Sequence, residues 1–119
     1  MLFRRDARTF PIESCHGGTG TVTCSSLLPK EKAEVGGGLL RFIHDDLLEP
    51  GATIAEHPHE GDEELYLVLE GSGTALLDGE RHAVGPGDAY LCLDGHTHGV
   101  ENSPGGPMRL LVVCAAPRS

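Results

Sequence analysis

The chain has 119 residues and carries 18 acidic against 9 basic side chains, a formal net charge of −9 at pH 7. That balance, with no basic stripe, argues against a nucleic-acid-binding surface. The length suits one domain. No apolar run reaches membrane-spanning length, and Met1-Leu-Phe-Arg-Arg-Asp lacks the apolar core of a signal peptide, so a cytoplasmic location is the default expectation.

Seventeen glycines and eight prolines among 39% hydrophobic residues predict many turns and an all-β architecture. In chain order, residues 1–17 read as an irregular or edge arm. Residues 19–28 are rich in β-favouring types. Pro29 to Gly38 is a charged connection with room for a helical turn at 30–34. Strands are then expected at 39–48, 52–57, 63–70 and 74–78. The Asp78-Gly79 pair signals a hairpin into 81–84. After the Gly85-Pro86-Gly87 turn come 88–93, 97–101 and 108–115. The organisation read from this is a single domain over 1–119, with 1–37 as an N-terminal arm and edge strand and 38–115 as a barrel core. Cys15, Cys24, Cys92 and Cys114 form no CxxC pair, so reduced thiols are expected, with a Cys15–Cys24 disulfide left open by spacing. The glycine runs 17–20 and 36–38 lack the lysine and strand–helix context of a phosphate loop and read as turns.

The chemistry concentrates in His57-Pro-His59, Glu64 and the distant His98. Imidazoles two residues apart on a strand share a face. With a carboxylate and a third imidazole they make a donor set for one divalent transition-metal ion, with Fe, Mn, Ni and Zn all left open. The spacing is Gly51, five residues, His57-x-His59, four residues, Glu64, six residues, Gly71. It resembles the first motif of the cupin superfamily. A looser second motif runs from Gly79 through Gly85-Pro86-Gly87-Asp88 to His98 and Asn102. Its proline is displaced to Pro86, and the interval from Gly87 to His98 is long.

The resemblance covers about residues 38–115 and implies a double-stranded β-helix (jelly-roll) barrel of the small single-domain kind. It also implies metal ligation by His57, His59, Glu64 and His98. Four protein ligands on a six-coordinate ion leave two positions for water, a chelating substrate or dioxygen. Oxygenase, isomerase or lyase chemistry on a small polar molecule is one expectation. Non-catalytic binding or sensing of a small, sugar-like ligand is the other.

Parity extends this reading. If Glu64 points inward, Tyr66, Val68 and Glu70 share its face, and Leu65, Leu67 and Leu69 point outward. With Leu111 and Val113, those leucines need a cover, either the N-terminal segment or a second copy, and a homodimer is expected. Tyr66, Tyr90, Cys92 and Asn102 are candidate pocket residues. His96 forms a second His-x-His with His98, and alternation puts both on one face. It reads either as an acid–base group near the metal or as an exposed loop histidine. His16, His44 and His82 have no motif context and read as structural or solvated. Glu60, Asp62 and Glu63 crowd the loop after the histidines and read either as a negatively charged rim of the pocket or as a solvated loop.

Overall fold

The computed structural model describes residue 2 and residues 9–30 and 38–117. Among these residues ten strands form two antiparallel sheets: β1 (Thr9–Glu13), β2 (Thr21–Leu28), β3 (Leu40–Leu48), β4 (Thr53–Pro58), β5 (Glu63–Glu70), β6 (Gly73–Leu77), β7 (Glu80–Val84), β8 (Ala89–Cys92), β9 (Thr97–Asn102) and β10 (Met108–Ala115). One sheet has the order β1-β2-β3-β10-β5-β8 and the other β4-β9-β6-β7. This is the jelly-roll architecture that the cupin resemblance implies. The arm supplies β1 as an edge strand on β2. The helical turn expected at 30–34 falls almost wholly outside the described residues, as does most of the 36–38 glycine run. No helix among the described residues is long and apolar enough to cross a membrane.

Strand alternation explains the core. β5 buries Glu64, Tyr66 and Val68 and leaves Leu65, Leu67 and Leu69 half-exposed. β10 lies between β3 and β5 and buries Met108, Leu110, Val112 and Cys114. Tyr66, Val68, Met108, Leu110 and Val112 pack with Val22, Leu48, Ile54 and Val100 in one apolar cluster, in which each buried Val, Leu, Ile or Met contributes about 1.5–3 kcal/mol. Glu70 departs from its expected face, since it is exposed at the strand end and reaches Arg109. Asp78 and Gly79 both take positive φ, 49° and 80°, as the two-residue hairpin between β6 and β7 demands. All four cysteines are buried free thiols, so the Cys15–Cys24 disulfide is not formed.

On the outer face of the six-stranded sheet, Leu65 pairs with Leu91 and Val113, and Leu67 with Leu111. β1 and β2 extend the opposite edge of this sheet. The described part of the arm therefore lengthens the sheet and does not cover the leucines.

Candidate metal centre

A bulge in β4 places the first two histidines. Ile54 pairs with Val100, but His57 pairs with His98, so β4 carries one extra residue there. Ala52 and Ile54 are buried. Simple alternation would continue with Glu56 inward and His57 outward. The extra residue reverses parity. Glu56 ends exposed, binding Gly79 N and the Thr97 hydroxyl, and His57 and His59 turn into the barrel. Gly99 lies against the bulge, where a Cβ would meet Ile54 O at 2.6 Å and Glu56 N at 2.8 Å. Glu64 arrives from β5 and His98 from β9, both buried.

The four residues bring one donor atom each to within 4.8 Å of all the others. His59 Nε2 lies 3.0 Å from His98 Nε2. Glu64 Oε1 is 3.3 Å from His98 Nε2 and 3.5 Å from His59 Nε2. Donors about 2.1 Å from one cation and at right angles stand about 3.0 Å apart, so this spacing matches a shared ion closely.

The tautomers agree. His57 Nδ1 donates to Ala55 O at 2.8 Å, and His59 Nδ1 donates to Asp62 Oδ1 at 2.7 Å. Their Nε2 lone pairs are thus directed at the centre, the usual device for orienting a ligating imidazole. Among the described residues His98 Nδ1 has no hydrogen-bond partner, so the polar neighbours of that ring lie on its Nε2 side. The two Nε2 atoms face each other at 3.0 Å, a spacing served by a shared proton when the centre is empty or by a cation when it is filled, and the residues present fit a divalent cation.

Around the donors the structure adds residues that motif spacing did not indicate. Asp62 orients His59 and accepts from Cys114 Sγ at 3.4 Å; it is part of the centre, not a solvated loop residue. Its signal was an acid three positions after a ligating histidine. His16 stacks on His57, with ring centroids 3.6 Å apart and planes within 8°. No local pattern announces a contact across that much sequence. The loop carrying His16 is strained, with Ser14 and His16 at φ 53° and 51°. It is clamped to β4 by Thr53 N donating to Thr19 O and Thr19 N donating to Thr53 Oγ1, both at 2.8 Å.

The remaining candidates divide. Tyr66 is buried with its ring 4.4 Å from that of His98, and Tyr90 packs edge-on against Tyr66. Burial pushes both phenols up, so both stay neutral. Cys92 is buried, its thiol pushed up to about 11 by burial. His96 does not share the face of His98: it precedes β9, is exposed, and pairs with Asp78 Oδ2 at 2.7 Å. Asn102 is four residues along β9 from His98, about 13 Å. Its Nδ2 donates to Leu48 O, Glu49 O and Gly106 O. It ties the barrel's far end together and does not line the centre. Of the two readings open for them, His82 is solvated and His44 is structural, half-buried on an interior wall.

A family model for the cupin domain matches residues 46–114, and the chain belongs to that family. An oxalate-binding protein from Thermotoga maritima is 30% identical over 102 residues, covering 86% of this chain and 82% of the relative. A pectin degradation protein, KdgF, from Dickeya dadantii is 32% identical over 56% of this chain and 69% of the relative. A solved structure described as a predicted oxalate decarboxylase from Thermotoga maritima superposes with a TM-score of 0.88 at 28% identity, over 98% of this chain and 100% of that one.

Burial pushes His57 down from 6.5 to about 4 and also lowers His16 and His44. The unfolded chain therefore takes up protons near pH 6.5 that the metal-free fold refuses. These histidines contribute stability that is full above that pH and is lost as pH falls toward the folded values. Asp46 acts oppositely. Burial raises it from 3.8 to about 6, so its contribution is full below 3.8 and lost as pH rises through 6. Three groups outweigh one. The urea midpoint of chelator-treated protein will fall between about pH 7.5 and about pH 5, and fall more steeply in Asp46→Asn.

Proposed function

We propose that this chain holds one divalent transition-metal ion on His57, His59, Glu64 and His98 and uses it to capture a small chelating acid of the oxalate type. Metal-assisted chemistry of the oxygenase, isomerase or lyase kind then acts on that ligand. The observation that carries the reading is the convergence of three ring nitrogens and one carboxylate oxygen on a common point. When bound, the cation supplies Lewis-acid polarisation of a ligand oxygen.

The chain's own residues set the rest. Asp62 and the Ala55 carbonyl hold the imidazoles in register. Tyr66 packs an apolar ring on His98 with its phenol kept neutral. Glu64, with Asp46 further along the same interior and within its electrostatic reach, makes the interior acidic, so an anionic ligand depends on the cation for entry. The relative named for oxalate binding supports this ligand class.

Oxalate titrated calorimetrically into manganese-loaded protein is expected to bind, and to give no heat of binding in chelator-treated protein. Equal binding to both forms, or to neither, overturns the proposal. Capture without turnover is the second reading, favoured by the wording of that relative's name. Carbon dioxide release from oxalate by the loaded protein separates the two.

The same proposal includes a homodimer through the outer face of Leu65, Leu67, Leu91, Leu111 and Val113. Leu91 is 47% exposed, and the patch is bounded by the Arg109–Asp45–Glu70 ion pairs, an apolar centre with a polar rim. Sedimentation should give a dimer at micromolar concentration and a monomer for Leu111→Glu.

A further inference from the structure

A second set of donors lies on the β2–β3 wall. Cys24 on β2 is directly opposite Asp46 on β3, and His44 is two residues along the same strand. Alternation directs all three to the interior face shared by Val22 and Leu48, which are both fully buried. Their donor atoms all lie within 4.8 Å of one another, and His44 Nδ1 is 3.9 Å from Asp46 Oδ1.

We propose that Cys24, His44 and Asp46 form a second cation site, built for a thiophilic divalent ion such as zinc and separate from the centre at Glu64.

Among the described residues Asp46 Oδ1 has no hydrogen-bond partner, and the residue is only 7% exposed. A buried carboxylate oxygen in that state calls for a donor or a cation. The Cys24 thiol donates to the Asp46 carboxylate, while Glu64 and Asp45 repel further negative charge, so one thiol proton is all that offsets this buried acid. Burial pushes the Cys24 thiol far above its ordinary value, so without a cation the pair is held by protons. A zinc ion takes nitrogen and oxygen at about 2.0–2.2 Å and sulfur at about 2.3 Å, which sets tetrahedral donors roughly 3.3–3.6 Å apart. The observed separations need modest closure, which side-chain torsions supply. The thiolate and carboxylate together balance a dication, and the thiolate selects a softer ion than the three-nitrogen, one-oxygen centre does.

The two sites do not share a metal. Glu64 pairs with Cys114 and Asp46 with Leu110, four residues apart along β10, a separation of about 13 Å along the strand. Val112 lies between His44 and Tyr66 in the ladder.

Cobalt(II) titrated into chelator-stripped full-length protein tests this. Wild type is expected to take two equivalents, with a thiolate-to-cobalt charge-transfer band in the near ultraviolet and release of the Cys24 thiol proton to solvent on uptake. Cys24→Ser should take one equivalent without the band. The His57→Ala/His98→Ala variant should take one equivalent and keep the band. Asp46→Asn, close in shape and keeping the thiol, should weaken the band-bearing site at least about 100-fold, and it carries the test if Cys24→Ser does not fold. Uptake of a single equivalent by wild type, a band that survives in Cys24→Ser, a band lost with the two histidines, or unchanged affinity in Asp46→Asn each overturns the site.

Discussion

Replacing His98 by alanine is expected to abolish tight cation binding and the thermal stabilisation that goes with it. His98 has no exposed surface. It is opposite His57 in the β4–β9 ladder, and its Nε2 reaches both His59 and Glu64. Removing it takes one of four donors and leaves Glu64 Oε1 with less around it. Loss of an outer group that merely orients a ligand costs about 10–100-fold in affinity, so loss of a donor should cost at least about 100-fold. At a cation concentration of about 100 times the wild-type Kd, binding stabilises the fold by about 2.7 kcal/mol; a 100-fold weaker site leaves about 0.4 kcal/mol. For a domain of this size the difference is several degrees in Tm. Thermal unfolding with and without chelator isolates it, because the cavity left by the imidazole lowers Tm in both conditions. Asp62→Asn should lie between wild type and His98→Ala, since it frees His59 to turn without removing a donor. A His98→Ala protein that keeps the full cation-dependent increment would remove His98 from the ligand set.

The sequence reading succeeded where local rules act alone. Period-two alternation in 63–70 put Glu64, Tyr66 and Val68 on one face, and burial follows that pattern. The Asp-Gly pair at 78–79 marked its hairpin correctly because a two-residue turn needs positive φ at both positions. The motif spacing named the four donors that converge.

Most of what the sequence did not reveal rests on contact across distant sequence. His16 reaches His57 only because Gly18 lets the loop approach Thr53, where a Cβ would stand 2.2 Å from the carbonyl oxygen. Of the two readings of His96, the exposed loop histidine holds, because alternation with His98 applies only within a strand and β9 begins at Thr97. Cys24 and His44 carry no motif. Only the β2–β3 register sets Cys24 across from Asp46 and places His44 beside it. The dispositive detail at the centre, the extra residue in β4, leaves a trace in the sequence as a parity conflict: Ile54 and His57 cannot both face inward on a regular strand.

That conflict leads to the other large expected effect, from Gly99→Ala. The added methyl would lie 2.6 Å from Ile54 O, 2.8 Å from Glu56 N and 3.0 Å from the Ala55 carbonyl carbon. All three are backbone atoms, so no side chain can swing aside and the bulge itself has to move. Overpacking of this kind costs about 1–3 kcal/mol, sometimes more, and a position hemmed in by main chain belongs at the upper end. Gly73→Ala is the control. Its methyl would meet Glu101 O at 2.2 Å, a comparable clash at the end of the ladder where Gly73 pairs with Asn102 and not with a donor. Both variants should unfold at lower urea. Only Gly99→Ala should also lose cation affinity, by at least about tenfold, because displacing the bulge swings His57 away from His59 and His98, and a donor misplaced by an ångström no longer serves the shared ion. If calorimetry finds the two variants equally weakened in stability and equally unchanged in cation affinity, the β4 bulge is not what places His57.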